Sequence, residues 1–302
     1  MKAVKYLDPR ADLTFKRIFG EHKELTRSFL NAMLPFHEGK EIEELEFLPG
    51  ELAPDSPMKK NTIVDVRCKD NQGRQFIVEM QMFWTPSFMQ RVLFNTSKAY
   101  VRQLDRSFDF KYLQPVYSLS LINDIFMPDL KDFYHHYDIV NIEHTEKVIE
   151  GLHFVFVELP KFKPQSISER RMAVLWLRFL TEMNAGTDSV PKEFLENPYL
   201  REAVRLLETS SYNESQLYNY EKFWDAVASE RVMVTDAMRK GKMEGLEEGK
   251  KQGLEEGKIQ GARENAISIA RNLKRLGLPD NEIAQATGLP IEEVEKVGGE
   301  LI

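Results

Sequence analysis

The stretch NTIVDVRCKDNQGRQFIVEMQMF, residues 61–83, decides the fold. Two runs rich in β-branched and aromatic residues, 61–69 and 74–83, flank Asn71-Gln72-Gly73. Such runs read as strands, and a three-residue loop with glycine in the left-handed position joins them as an antiparallel hairpin. In that register Asp70 opposes Arg74, Lys69 opposes Gln75 and Asp65 opposes Glu79. Gln81 lies two residues beyond Glu79, so its side chain points to the same face. A loop one residue longer or shorter would put the two carboxylates on opposite faces. Val64, Val66, Val78 and Met80 then form the other, buried face.

Two facing carboxylates repel, and a fold gains nothing from them alone. A divalent cation between them removes the cost, and carboxylate oxygens with waters are the ligands Mg²⁺ prefers. The alternative is a pair of solvated hairpin charges.

Working outward, Phe15, Ile18, Phe19, Leu25, Phe29, Leu30 and Met33 recur at helical spacing. The spacing predicts a helix over 12–34, broken near Gly20 and ended before Pro35. Asp12 suits its cap or first turn. Residues 42–48 fit strand or helix. A helix follows at about 86–106, and 115–122 and 153–159 read as further strands. That order describes a mixed α/β domain over residues 1–162. A helical region occupies 163–237, and a tail with glycine every fourth residue, from Gly241 to Gly261, opens 238–302. Each interior glycine costs ~1 kcal/mol relative to alanine. The tail therefore reads as a solvated, partly helical linker; the alternative is a glycine stripe admitting a second helix closely, as in a homo-oligomer. At 278–297, Ala284, Gly288 and Val294 have helix-turn-helix spacing. The second helix offers Glu292, Glu293 and Glu295 where a DNA reader presents basic or amide groups, so this unit reads as a packing or oligomerisation element.

Composition narrows the function classes. The formal net charge of −7 argues against a DNA-coating protein. Residues 38–55, however, hold seven acids and one lysine, whereas residues 1–17, 59–74 and 85–111 are each +3. A local basic groove stays open. The single cysteine, Cys68, excludes a disulfide framework or Cys-rich zinc site. No histidine pattern suggests a metal site. There is no signal peptide and no run long enough to span a membrane, so a soluble, cytoplasmic protein is expected.

DLTFKRIFG (12–20), IVDVRCKD (63–70), FIVEMQMF (76–83) and QRVLFNTSKAYVRQL (90–104), in that order, resemble the recombination-promoting nuclease (Rpn) and transposase-like family. That family belongs to the PD-(D/E)xK nuclease superfamily, with a restriction-endonuclease-like mixed-sheet core. HFVFVELPKF (153–162) resembles the segment that closes its catalytic domain, and the glycine tail is similar to members of the family. The resemblance implies a Mg²⁺-dependent (or Mn²⁺-dependent) DNA endonuclease tied to recombination, mobile elements or defence. It implies Asp65 and Glu79 as catalytic metal ligands, joined by the backbone carbonyl of Met80. Gln81 stands where the superfamily usually has lysine, although this family commonly shows ExQ. Glutamine can orient a group but carries no charge. Lys16 is a candidate for the missing cation, or else a solvated helix lysine. Asp12 is a further metal ligand or a helix cap. Arg91 and Arg102 are candidates for holding DNA phosphates, or ordinary helix surface. The rival expectation is a DNA-binding or self-assembling member that lost turnover through Gln81.

Overall fold

The computed structural model describes residues 5–52, 62–104, 109–164 and 171–297. It forms two compact units, residues 1–229 and 230–302. The first unit is built on strands β1 (Leu45–Leu48), β2 (Glu51–Leu52), β3 (Thr62–Ile63), β4 (Val66–Asp70), β5 (Gln75–Gln81), β6 (Val116–Ile122), β7 (Tyr134–Val140) and β8 (Val148–Glu158). Six of them make one mixed sheet in the order β1-β4-β5-β6-β8-β7, while β2 and β3 pair separately. β5, β6 and β8 run parallel to one another, and the remaining neighbours are antiparallel. This is the mixed α/β architecture of a restriction-endonuclease-like core.

The hairpin forms in the expected register. Val66 opposes Val78, Cys68 opposes Phe76 and Lys69 opposes Gln75. Gly73 takes φ 87°, and the Asp70 N–H donates to the Arg74 carbonyl at 3.0 Å. The Asp70 carboxylate accepts from the backbone N–H of Gln72 and Arg74 and from Arg74 Nε at 2.6 Å, so the loop is stapled by a buried pair.

One part of the reading is corrected. Asp65 is not in regular strand; it sits at a bend between β3 and β4. Val64, before the bend, donates its N–H to the Gly50 carbonyl at 3.0 Å. The chain changes partner there, from the 50–52 segment to β5, so the strict alternation of faces breaks. Val64 packs with Ile77, Ala99 and Val116, not with Val66 and Val78 in the main core.

Both faces of the sheet are covered, because its central strands are apolar on both sides. Helices α1 (Asp12–Glu21) and α2 (Lys23–Met33) lie on the main-core side, where Phe19 and Phe29 pack against Trp176. The helix expected at 12–34 is interrupted at His22, two residues beyond Gly20. Trp176 belongs to α4 (Arg171–Glu182), which shares this core with α6 (Pro198–Leu206), reached through the short α5 (Lys192–Glu196). The boundary proposed at 162/163 therefore falls inside the first unit. On the opposite face lies α3 (Phe88–Val101), whose Phe88 and Val92 pack on Ile122 and Phe156. Strand β7 is an addition to the predicted elements. It is an edge strand with a largely polar exterior, so its sequence lacks an apolar alternation.

Helix α7 (Glu214–Arg275) passes from the first unit into the second and is continuous through the glycine repeat. In the second unit α8 (Asp280–Thr287) and α9 (Ile291–Lys296) bury Ile283 and Val294 against Ala270 of α7. Gly288 ends α8 in the left-handed conformation, and Asp280 is a first-turn residue paired with Lys274 at 3.2 Å. No helix among the described residues is long and apolar enough to cross a membrane.

Candidate active site

Glu79 lies near the C-terminal end of β5, on the face covered by α3, and is only 7% exposed. Its Oε1 accepts a hydrogen bond from Asn95 Nδ2 at 3.1 Å. Asn95 is itself buried in the middle of α3. The bend at Asp65 turns that side chain toward the neighbouring strand, where Oδ2 accepts from the Met80 N–H at 2.8 Å. The two carboxylates are thus tied to adjacent residues of one strand. In a strand the N–H and C=O of one residue face the same edge. The Met80 carbonyl therefore faces the side on which Asp65 lies, beyond the last β4–β5 pair at Val66 and Val78.

Burial pushes both carboxyl groups above their ordinary range. For Asp65 the Met80 N–H and the charges of Lys16 and Arg91 oppose that rise, and Asp12 adds to it. For Glu79 the Asn95 hydrogen bond and Arg91 oppose it, while the charge of Asp65 adds to it. Two close carboxylates held partly desolvated are a destabilising arrangement that a bound divalent cation would relieve. The donor set, carboxylate and carbonyl oxygens only, fits a hard cation such as Mg²⁺.

Two cations stand around the pair. Lys16 Nζ lies 3.9 Å from Asp65 Oδ1 and 2.6 Å from Asp12 Oδ1. Lys16 therefore bridges the two acids and brings Asp12, a first-turn residue of α1, next to the site. Arg91 donates to Gln81 Oε1 at 2.6 Å and lies over the Phe88 ring. Gln81 in turn donates through Nε2 to the Phe83 carbonyl at 2.8 Å, so its amide is held at both ends. Gln81 thus anchors an arginine from the following helix.

Arg102 is set apart from these residues. It caps the far end of α3, about 16 Å along the helix from Arg91. Its charge, after burial, lowers the pKa of Arg67, a β4 residue opposite Ile77 on the α3 side of the sheet. Three features escaped the sequence reading: Asn95, Arg67 and the Arg91–Gln81 contact. Asn95 carried a signal, since asparagine is a poor residue for the middle of an amphipathic helix. The acidic segment adjoins the strand that follows Asp65: β1 borders β4, and its Glu46 is neutralised by Lys69 at 3.0 Å.

The structure corrects the reading of the histidines. His136, Asp138 and His153 converge, with one donor atom of each lying within 4.8 Å of the others. Cys68, by contrast, is buried and its thiol is pushed up to about 12, mainly by burial, which leaves it inert.

No curated protein and no solved structure matches the chain significantly. A family model described as PD-(D/E)XK nuclease family transposase matches residues 9–237, which include the sheet, α3 and every residue of the carboxylate site. The chain belongs to the PD-(D/E)XK nuclease family transposases.

Proposed function

We propose that the protein is a divalent-metal-dependent endonuclease that hydrolyses phosphodiester bonds in DNA, with a role in recombination, mobile elements or defence. The observation that carries this reading is the pair Asp65 and Glu79, half-buried and buried, tied to one end of β5 with Lys16 and Arg91 beside them. Asp65, Glu79 and the Met80 carbonyl would hold Mg²⁺, with Mn²⁺ as a substitute and Asp12 as an outer contributor. Bound there, the ion would polarise the phosphate and lower the pKa of an attacking water.

The chain's own residues supply the rest. Asn95 fixes the rotamer of Glu79. Gln81 holds the Arg91 guanidinium at the mouth of the site, where it stabilises charge developing on the phosphate. Lys16 does the same from the α1 side. Arg67 and Arg102 are two cations brought close on one face, an arrangement that favours a bridging phosphate. We assign them to the DNA strand beyond the scissile bond. The reading carries a cytoplasmic location.

The rival, a DNA-binding or self-assembling member without turnover, draws on the loss of lysine at position 81. The Arg91–Gln81 contact favours the active reading. The test is plasmid cleavage with Mg²⁺, Mn²⁺, Ca²⁺ or chelator, run beside Asp65→Ala and Glu79→Ala proteins shown to be folded. Metal-dependent cutting by the parent alone is the expected result. Equal cutting by parent and variants removes these residues from the mechanism, and binding without cutting by any of them selects the rival.

A further inference from the structure

From His136, Asp138 and His153 we infer a second metal site, for a borderline divalent cation of the zinc class, which pins the edge strand β7 to β8. It lies on the opposite face of the sheet from Glu79 and two to three strands away, about 10–14 Å across the sheet. It does not depend on the nuclease reading.

The strand pairing builds the site. His136 and Asp138 are two residues apart on β7 and share a face. Asp138 is directly opposite His153 on β8. Nδ1 of His153 lies 2.6 Å from Asp138 Oδ1, and Nε2 of His136 lies 3.1 Å from the same oxygen. Two ligands each ~2.1 Å from zinc at a tetrahedral angle are about 3.4 Å apart, so small side-chain adjustments seat an ion among the three. Two imidazole nitrogens and one carboxylate oxygen suit zinc, cobalt or nickel better than Mg²⁺, which prefers oxygen alone.

Three further observations favour a built site. The His153 side chain is only 8% exposed and stacks on Tyr117, with centroids 4.4 Å apart and planes 12° from parallel. That stacking fixes the ring plane. Its other nitrogen, Nε2, is buried and makes no hydrogen bond, although Glu150 Oε2 is 3.2 Å away. If Nδ1 takes the metal, Nε2 carries the proton, and a small turn of the exposed Glu150 side chain accepts it, the carboxylate support that metal-bound histidines usually have. Finally, the β7–β8 register slips between Asp138 and Val140, so the ladder weakens beside the ligands, where a clamp has most effect.

The test uses metal-stripped full-length Asp65→Ala protein, which lacks the first carboxylate of the nuclease site. Zinc affinity is measured by competition with a chromogenic chelator, and Tm is followed with zinc and with Mg²⁺. We expect one zinc bound per chain, a higher Tm with zinc, and no competition from millimolar Mg²⁺. Adding His136→Ala or Asp138→Asn, both at partly exposed edge-strand positions, should abolish binding with the fold retained by circular dichroism. Glu150→Gln should weaken it ~10-fold. Absence of zinc binding, or binding undiminished by both His136→Ala and Asp138→Asn, overturns the site. If one of these variants fails to fold, the other decides.

Discussion

Asp65 and Glu79 are the residues at which stability and chemistry oppose each other. Burial raises both carboxyl groups above their ordinary range, so the folded chain binds protons that the unfolded chain has released. Stability therefore falls as pH rises from the unfolded to the folded pKa, and the full penalty is reached once pH is above the folded pKa. Glu79→Gln, which keeps an acceptor for Asn95, should raise Tm at pH 7 and match the parent by about pH 3, where carboxylates are protonated in both states. Mg²⁺ should raise Tm of the parent but not of this variant. Thermal melts over a pH series decide both points. Arg91 makes a different kind of residue-scale prediction. Removing a donor aimed at developing charge costs on the order of 10²–10³ in kcat. Arg91→Ala should show such a loss with Mg²⁺ binding intact. If Gln81 replaces the superfamily lysine by holding Arg91, then Gln81→Lys should restore part of the rate in the Arg91→Ala background. A double variant as slow as Arg91→Ala would break that link.

At the scale of elements, the bend before β4 sets the direction of Asp65, and Gly50 sets the bend. A Cβ on Gly50 would lie 2.6 Å from the Val64 carbonyl oxygen, a backbone atom that can move only with the strand. Gly50→Ala should cost about 1–3 kcal/mol, as overpacking generally does, and should depress cleavage by turning Asp65 away from the Met80 N–H. Chemical denaturation and the plasmid assay together test it; a stable variant with full activity would detach the bend from the site. Gly50 also shows where the sequence stops being legible. The hairpin could be read because its register depends on residues within the loop, Asn71 to Gly73. The divided helix could be read because glycine interrupts a local period. The bend at Asp65 depends on Gly50, outside the hairpin, and no local period reports it. Strand β7 depends on β8 for its apolar partner, and its first five residues, Tyr134 to Asp138, are only Tyr, His and Asp. The carboxylate pair was legible through the hairpin, whereas Asn95 and the Arg91–Gln81 contact required the packing of α3 against β5.

At the scale of the whole molecule, the family-matched portion ends at residue 237, just before the glycine repeat. The repeat is helical and solvent-exposed, and a Cβ at any of its six glycines would meet nothing within 4 Å. Each glycine should therefore weaken the helix by ~1 kcal/mol relative to alanine without a compensating contact inside the chain. Replacing Gly245, Gly249, Gly253 and Gly257 with alanine should raise helicity and melting temperature in this part of the chain. If the repeat is a compliant spacer, cleavage and the concentration dependence of molecular mass stay unchanged. If the glycines instead let a second helix approach, four methyl groups hold the helices apart, and self-association weakens while helicity rises. We expect the first outcome, because the glycine stripe drifts around the helix by ~40° per repeat and so never forms one straight seam. Circular dichroism combined with sedimentation equilibrium separates the two: a gain in helicity accompanied by a loss of oligomer would assign the repeat to assembly.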